Sequence, residues 1–223
     1  MTLTIGIDDA GRGPIIGPMI LAGVLVDQNA KTILQKHPID DSKIIAHPKR
    51  IQLANLIKQT VPHHIVQANP KTIDEALNTP GNNLNRLEAL KMAEIINELN
   101  DKKTKTKVIV DCPSINTESW QVILEEYIDH KENLEISCEH KADANHLEPA
   151  AASILAKVTR EEEMDKIKQA HPDIGSGYPS DPNTKAFLAK TDKAIAEEGI
   201  IRTSWQTWKK LHPEKDQSTL GSF

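Results

Sequence analysis

Sulfur, aromatic rings and long apolar runs are all scarce in this sequence, and each shortage excludes something. Two cysteines in 223 residues, Cys112 and Cys138, make neither a disulfide framework nor a zinc site by themselves, and they read as two buried thiols. Aromatic residues are only 3% of the chain, and Trp205 and Trp208 among them read as packing rather than as a base-stacking platform. No apolar run approaches the length that spans a bilayer. The opening MTLTIGIDDAG lacks a basic stretch before its apolar residues, so it does not read as a secretion signal, and a cytoplasmic location is expected. Positive charge is not in excess either. Acids outnumber Lys and Arg 32 to 27, which argues against a general nucleic-acid binder but leaves room for a local basic groove.

What remains is an ordinary globular composition, 38% hydrophobic, long enough to bury a proper core. Residues 3–8 and 19–27 are apolar, β-branched and bounded by Gly and Pro, the mark of buried strands. Further strands are expected at 63–68, which places His63 and His64 in a strand rather than at a ligand, and at 107–111 and 134–138. Helical periodicity predicts helices over 48–60, 83–99, 117–129, 149–169 and 182–198. Strands first and then β-α-β-α predicts an α/β protein with a mixed sheet, an antiparallel meander continued by parallel strands. Trp205 and Trp208 read as packing of the C-terminal element. One domain is expected over 1–212, with a polar tail after it.

Sites in such sheets form where strands end. Asp8 ends the first strand, Asp111 the fourth, and Asp143 follows the fifth. A lone Asp at a strand end is commonly a cap, but three from distant positions at one edge point to a cation. Carboxylates sharing a small volume raise one another's pKa unless a cation neutralises them. Oxygen-only donors select Mg²⁺ or Mn²⁺, and two such ions suit in-line displacement at a phosphodiester. Beside Asp8 and Asp9 lies Gly11-Arg12-Gly13-Pro14, a loop whose glycines let backbone approach a ligand and whose Arg12 suits a phosphate.

These residues carry a resemblance. GIDDAGRGPIIGPMILAGV closely resembles the opening signature of ribonuclease HII, the type 2 ribonucleases H. The likeness continues through DDSK (40–43), NLNRLEALKMAEII (83–96), IVDCP (109–113), KADANHLEPAAASILAKVTRE (141–161) and GSGYPSDPNT (175–184). It runs in order from about residue 5 to 208, and the last two blocks look most like the archaeal and eukaryotic branch. The resemblance implies a ribonuclease-H-like fold, a mixed five-stranded sheet flanked by helices with a C-terminal helical extension over about 172–212. It implies two-metal hydrolysis of the RNA strand of RNA/DNA hybrids, with Mg²⁺ or Mn²⁺. It also implies incision at ribonucleotides embedded in duplex DNA, leaving 3′-hydroxyl and 5′-phosphate ends.

The family's catalytic acids fall on Asp8, Asp9, Asp111 and Asp143. Its 2′-hydroxyl-reading loop falls on Gly11, Arg12 and Gly13, and its sugar-packing Tyr on Tyr178. Lys43 and Lys157 would sit toward phosphates. One position departs, since the family has Glu where this chain has Asp9, a carboxylate shorter by one methylene. The alternatives are another metal-dependent nuclease of the superfold, such as a junction resolvase or type 3 ribonuclease H, and a non-catalytic or weakened nucleic-acid-binding module. A monomer is expected, with hybrid and ribonucleotide-containing duplex as partners and no membrane.

Overall fold

The strands of the sheet are short, and the order in which they pair decides where the acids end up. The computed structural model describes residues 3–39 and 45–213. Its elements are β1 (Leu3–Ala10), β2 (Met19–Val26), α1 (Gln28–Leu34), α2 (His47–Thr60), β3 (His63–Ala68), α3 (Pro70–Asn78), α4 (Leu84–Leu99), β4 (Thr106–Asp111), α5 (Thr117–Glu125), β5 (Leu134–Glu139), α6 (Ala142–Asn145), α7 (Leu147–Ala170), a 3₁₀ turn (Pro172–Ile174), α8 (Pro182–Lys190), α9 (Lys193–Glu197) and α10 (Gln206–Leu211). One five-stranded sheet runs β3-β2-β1-β4-β5. β1 pairs antiparallel with β2 and β2 with β3, while β1–β4 and β4–β5 are parallel. This is the mixed sheet flanked by helices that the order of elements predicts.

β1 is central and covered on both faces. Alternation sends Ile5 and Ile7 into a cluster with Met92, Ile95 and Ile96 of α4. The other face, with Ala10 of β1 and Ala22 and Val24 of β2, packs on Ala150, Ala151, Ile154 and Leu155 of α7. The small residues in the first half of α7 let that helix lie directly on the strand. At Gly6 the approach is so close that a Cβ would fall 2.1 Å from the carbonyl carbon of Glu148. A third cluster joins Ile15 and Ile16 of the loop after β1 to Met164, Ile174, Leu188 and Ile201. No helix among the described residues is long and apolar enough to cross a membrane.

Helix starts follow local chemistry. Asn83 accepts a hydrogen bond from Arg86 N at 3.0 Å, and Asn69, followed by Pro70, accepts from Thr72 N at 2.9 Å. The continuous helix expected over 182–198 is instead two. It stops at Lys190 and restarts where Asp192 accepts from Ile195 N at 3.1 Å. The helix expected over 117–129 ends at Glu125, and α1, α3 and α6 were not foreseen. Cys112 is buried, Cys138 is partly buried, and both are free thiols.

Candidate active site

Parallel pairing of β1, β4 and β5 brings the ends of all three strands to one edge, and the acids with them. The side-by-side pair keeps its opposite faces. The expectation that the first strand ends at Asp8 is corrected, because β1 runs on through Asp9 to Ala10, with Asp8 opposite Ala22 and Asp9 opposite Leu21. Asp8 therefore lies on the α7 face, beside the buried Ser153 hydroxyl, and its Oδ1 accepts from Asp9 N at 2.7 Å. Asp9 lies on the α4 face, near Arg12 and Glu88.

The electrostatics record how close these groups are. Burial pushes the Asp8 carboxyl well above the usual range, and the charges of Asp9 and Asp111 add to it. Burial raises Asp9 to about 6, with Arg12 the strongest opposing charge, Asp111 adding to the rise, and Arg202 and Lys157 lowering it. Asp111, at the end of β4, accepts from Ala142 N at 2.7 Å through Oδ1, which ties it to the short helix that carries the buried Asp143. Among the described residues no three acidic, histidine or cysteine side chains close on a single point. The acids are gathered at one edge without enclosing a common centre. Their chemistry still fits a hard divalent cation. The donors are oxygens only, and carboxyls forced upward by burial and mutual repulsion are groups that a cation relieves.

Two residues not anticipated from the sequence organise this edge. Glu88 is completely buried on α4 and accepts from Arg12 Nε at 2.7 Å, while Arg12 Nη2 donates to Asn85 Oδ1 at 2.8 Å. The nearby guanidinium favours the ionised form of Glu88. Complete burial outweighs it, the Asp9 charge adds to the rise, and the carboxyl is pushed up to about 8. The Arg12 side chain is thus engaged with α4 rather than free to meet a phosphate. Glu88 did leave a signal, a charged residue between Leu84 and Met92 on the apolar stripe of its helix.

Arg202 left none. Its guanidinium is fully buried and donates to the carbonyls of Gly11 (2.6 Å), Arg12 (2.8 Å) and Gly17 (3.0 and 3.1 Å), with its carbon 4.9 Å from the Trp205 ring centroid. Burial lowers it to about 9, which leaves it cationic at neutral pH. Gly177 O accepts from Ile15 N and Ile16 N, so residues from the C-terminal part of the chain hold much of the backbone of the loop after β1. Gly11, with φ of +87°, has no room for a Cβ, which would meet Arg160 Nε at 2.4 Å.

Tyr178 stands beside Gly13, where an added Cβ would lie 3.9 Å from its Cε1, and its ring is 42% exposed. Gly11, Arg12, Gly13, Tyr178, Lys157 and the four acids are therefore neighbours at this edge, whereas Lys43 lies outside the described residues. Trp205 and Trp208 pack against the C-terminal cluster as expected, and Trp205 Nε1 also donates to Gly13 O at 3.3 Å.

A sequence model of ribonuclease HII matches residues 5–208. The chain belongs to the ribonuclease HII family. It is 37% identical to ribonuclease HII of Thermococcus sibiricus, over 98% of this chain and 96% of that protein. Among solved structures, ribonuclease H2 of Pyrococcus horikoshii superposes with a TM-score of 0.80 at 32% identity, covering 94% of this chain and 96% of that one. The ribonuclease HII of a complex with PCNA from Archaeoglobus fulgidus gives 0.77 at 34% identity, covering 99% and 100%. By this membership the chain is a metal-dependent endoribonuclease with a ribonuclease-H-like fold. Membership sets aside the junction resolvase and the non-catalytic binding module.

Proposed function

We propose that this ribonuclease HII hydrolyses the RNA strand of RNA/DNA hybrids and incises duplex DNA at embedded ribonucleotides, leaving 3′-hydroxyl and 5′-phosphate ends. The observation that carries the reading is the juxtaposition of a repelling carboxylate set with a backbone loop held rigid by Arg202. Asp8, Asp9, Asp111 and Asp143 would hold the divalent ions, Mg²⁺ or Mn²⁺, two in the substrate complex. Bound there, the ions supply charge neutralisation at the scissile phosphate and a more acidic water. Gly11, Arg12 and Gly13 present backbone groups to the 2′-hydroxyl, which is the group that distinguishes RNA from DNA. The side chain of Arg12, tied to Glu88 and Asn85, positions that backbone. Tyr178 packs on the sugar of the following deoxynucleotide and disfavours a hydroxyl there. Lys157, whose charge reaches Asp9, sits toward phosphates, and the family resemblance gives Lys43 the same role.

In this reading residues 1–212 act as one catalytic unit in the cytoplasm, with 172–212 as its helical extension and the chain working as a monomer. The Archaeoglobus fulgidus relative was solved bound to PCNA, and a sliding clamp is the partner protein to test first. The deciding experiment uses duplex DNA with one ribonucleotide, supplied with Mg²⁺ or Mn²⁺ in turn. Incision on the 5′ side of the ribonucleotide is expected, and Asp111→Asn should abolish it while leaving binding largely intact. No cut with either ion would refute the assignment, and full activity in the variant would remove Asp111 from the metal set.

A further inference from the structure

Among the described residues six buried side-chain nitrogen or oxygen atoms lack a hydrogen-bond partner, and three belong to two arginines: Arg50 Nε, and Arg160 Nε and Nη2. Both arginines line one groove of about 400 Å³ between the start of α2 and the second half of α7, together with Lys168 and Tyr178. Interiors rarely leave charged donors unpaired, because the lost hydration is not recovered. The acids of the groove do not supply the missing partner. Glu161 is taken by Arg50 Nη1 and by His47 Nδ1, and Asp165 is exposed at the rim.

Arg160 lies beneath the loop at Gly11 and over the Tyr178 ring, its guanidinium carbon 5.5 Å from the centroid. It thus carries positive charge, partly offset by Glu161, from the edge of the acidic site into the groove. Along α7 the cations come in sequence. Lys157 acts on Asp9, Arg160 sits at Tyr178, and the exposed Lys168 lies further down the groove. At 1.5 Å per residue the three span about 16 Å, roughly the rise of five base pairs along a duplex axis.

We propose that this groove binds the sugar–phosphate backbone of the cleaved strand on the 3′ side of the ribonucleotide. Arg160 and Lys168 take phosphates beyond the deoxynucleotide on which Tyr178 packs. The inference rests on the function proposed above and adds to it a strand path and its polarity. Low-dielectric walls around buried guanidinium groups focus potential into the groove, which suits a polyanion better than a single small anion.

The test measures binding of a duplex with one ribonucleotide by fluorescence anisotropy, without Mg²⁺, from about 50 to 200 mM salt. Lys168→Gln and Arg160→Gln should each flatten the slope of log K against log salt by about 1, and Arg160→Lys should restore most of it. A single methylphosphonate placed two or three phosphates 3′ of the ribonucleotide should weaken the wild type several-fold and leave the double Gln variant unchanged. The same replacement on the 5′ side should affect both proteins equally. Wild-type slopes in the double variant, or equal losses from the 3′ methylphosphonate in both proteins, would overturn the proposal. Lys168 is exposed, so its variant reads the groove even if Arg160→Gln unfolds. Incision of the same duplex with Mg²⁺ is scored separately. A wild type that does not cut refutes the function, whereas one that cuts with unchanged slopes in the variants refutes only the groove.

Discussion

Replacing Arg202 by Met should damage the protein more than any surface change and should do so through the loop after β1. The guanidinium donates to three backbone carbonyls, those of Gly11, Arg12 and Gly17, all at 3.1 Å or less. A buried carbonyl left without a donor costs about 1–3 kcal/mol. Three would cost about 3–9 kcal/mol before relief. Relief comes from removing a buried cation that Arg160 repels, and from water reaching the loop near Gly13, its one exposed residue. A net loss of about 3–5 kcal/mol is expected, which for a chain of this length lowers Tm by roughly 6–20 °C. Arg202→Lys keeps the charge but only a point donor, so it should fall between the two. Urea unfolding gives the stability, and incision of the ribonucleotide-containing duplex, well below the melting temperature, gives activity. Activity should fall further than the folded fraction accounts for, because the loop loses its shape before the sheet unfolds. A loss under about 1 kcal/mol with full incision would refute the claim that Arg202 holds the loop.

Glu88 sets a pH dependence in the metal-free protein. Its carboxyl titrates at about 8 when folded against 4.5 in the unfolded chain, so the folded state binds the extra proton between those values. The stability this confers is fully present below pH 4.5 and is lost as pH rises through 8. Glu88→Gln should flatten the decline above pH 6, where the similar contribution of Asp9 has largely gone, and an unchanged profile in denaturation series would contradict the assignment. Gly6→Ala should cost about 3 kcal/mol, because the new methyl must displace either β1 or α7, and a thermal melt within about 1 kcal/mol of the wild type would deny that close contact. Asp9→Glu should leave incision equal or higher with Mg²⁺, and a marked loss would mean that the surroundings, Glu88 included, are fitted to the shorter acid.

The parts of this molecule that were legible in the sequence are those whose causes are local. β1 and β2 follow from short apolar runs bounded by Gly and Pro, α4 and α7 from helical periodicity, and the order of elements predicts the mixed sheet. The strand-end acids were legible because parallel strands place their ends together whatever the detail. α3 was missed although Asn69 before Pro70 marks its start, and the break at Thr191–Asp192 was overridden by an apparently continuous helical pattern. Arg202 was invisible for a deeper reason. Nothing near it in sequence explains a buried cation, since all its acceptors lie 185 or more positions away. The adjacent acids were read too locally as well. Their geometry comes from β2, which goes on pairing with β1 through Asp9 to Ala10, beyond the strand end expected at Asp8.

That separation has a consequence for how the protein is made. The loop between Gly11 and Gly17 leaves the ribosome at least 185 residues before Arg202, yet its carbonyls find their donors only when Arg202 emerges. At roughly 5–20 residues per second the loop waits about ten seconds or more without its final shape. A nascent or prematurely terminated chain can assemble the sheet and bring its acids together, but it has no formed loop beside them. Synthesis thus delivers the strand-end acids well before the residue that shapes the loop beside them, so copies that stop short of Arg202 carry the acids without the formed loop.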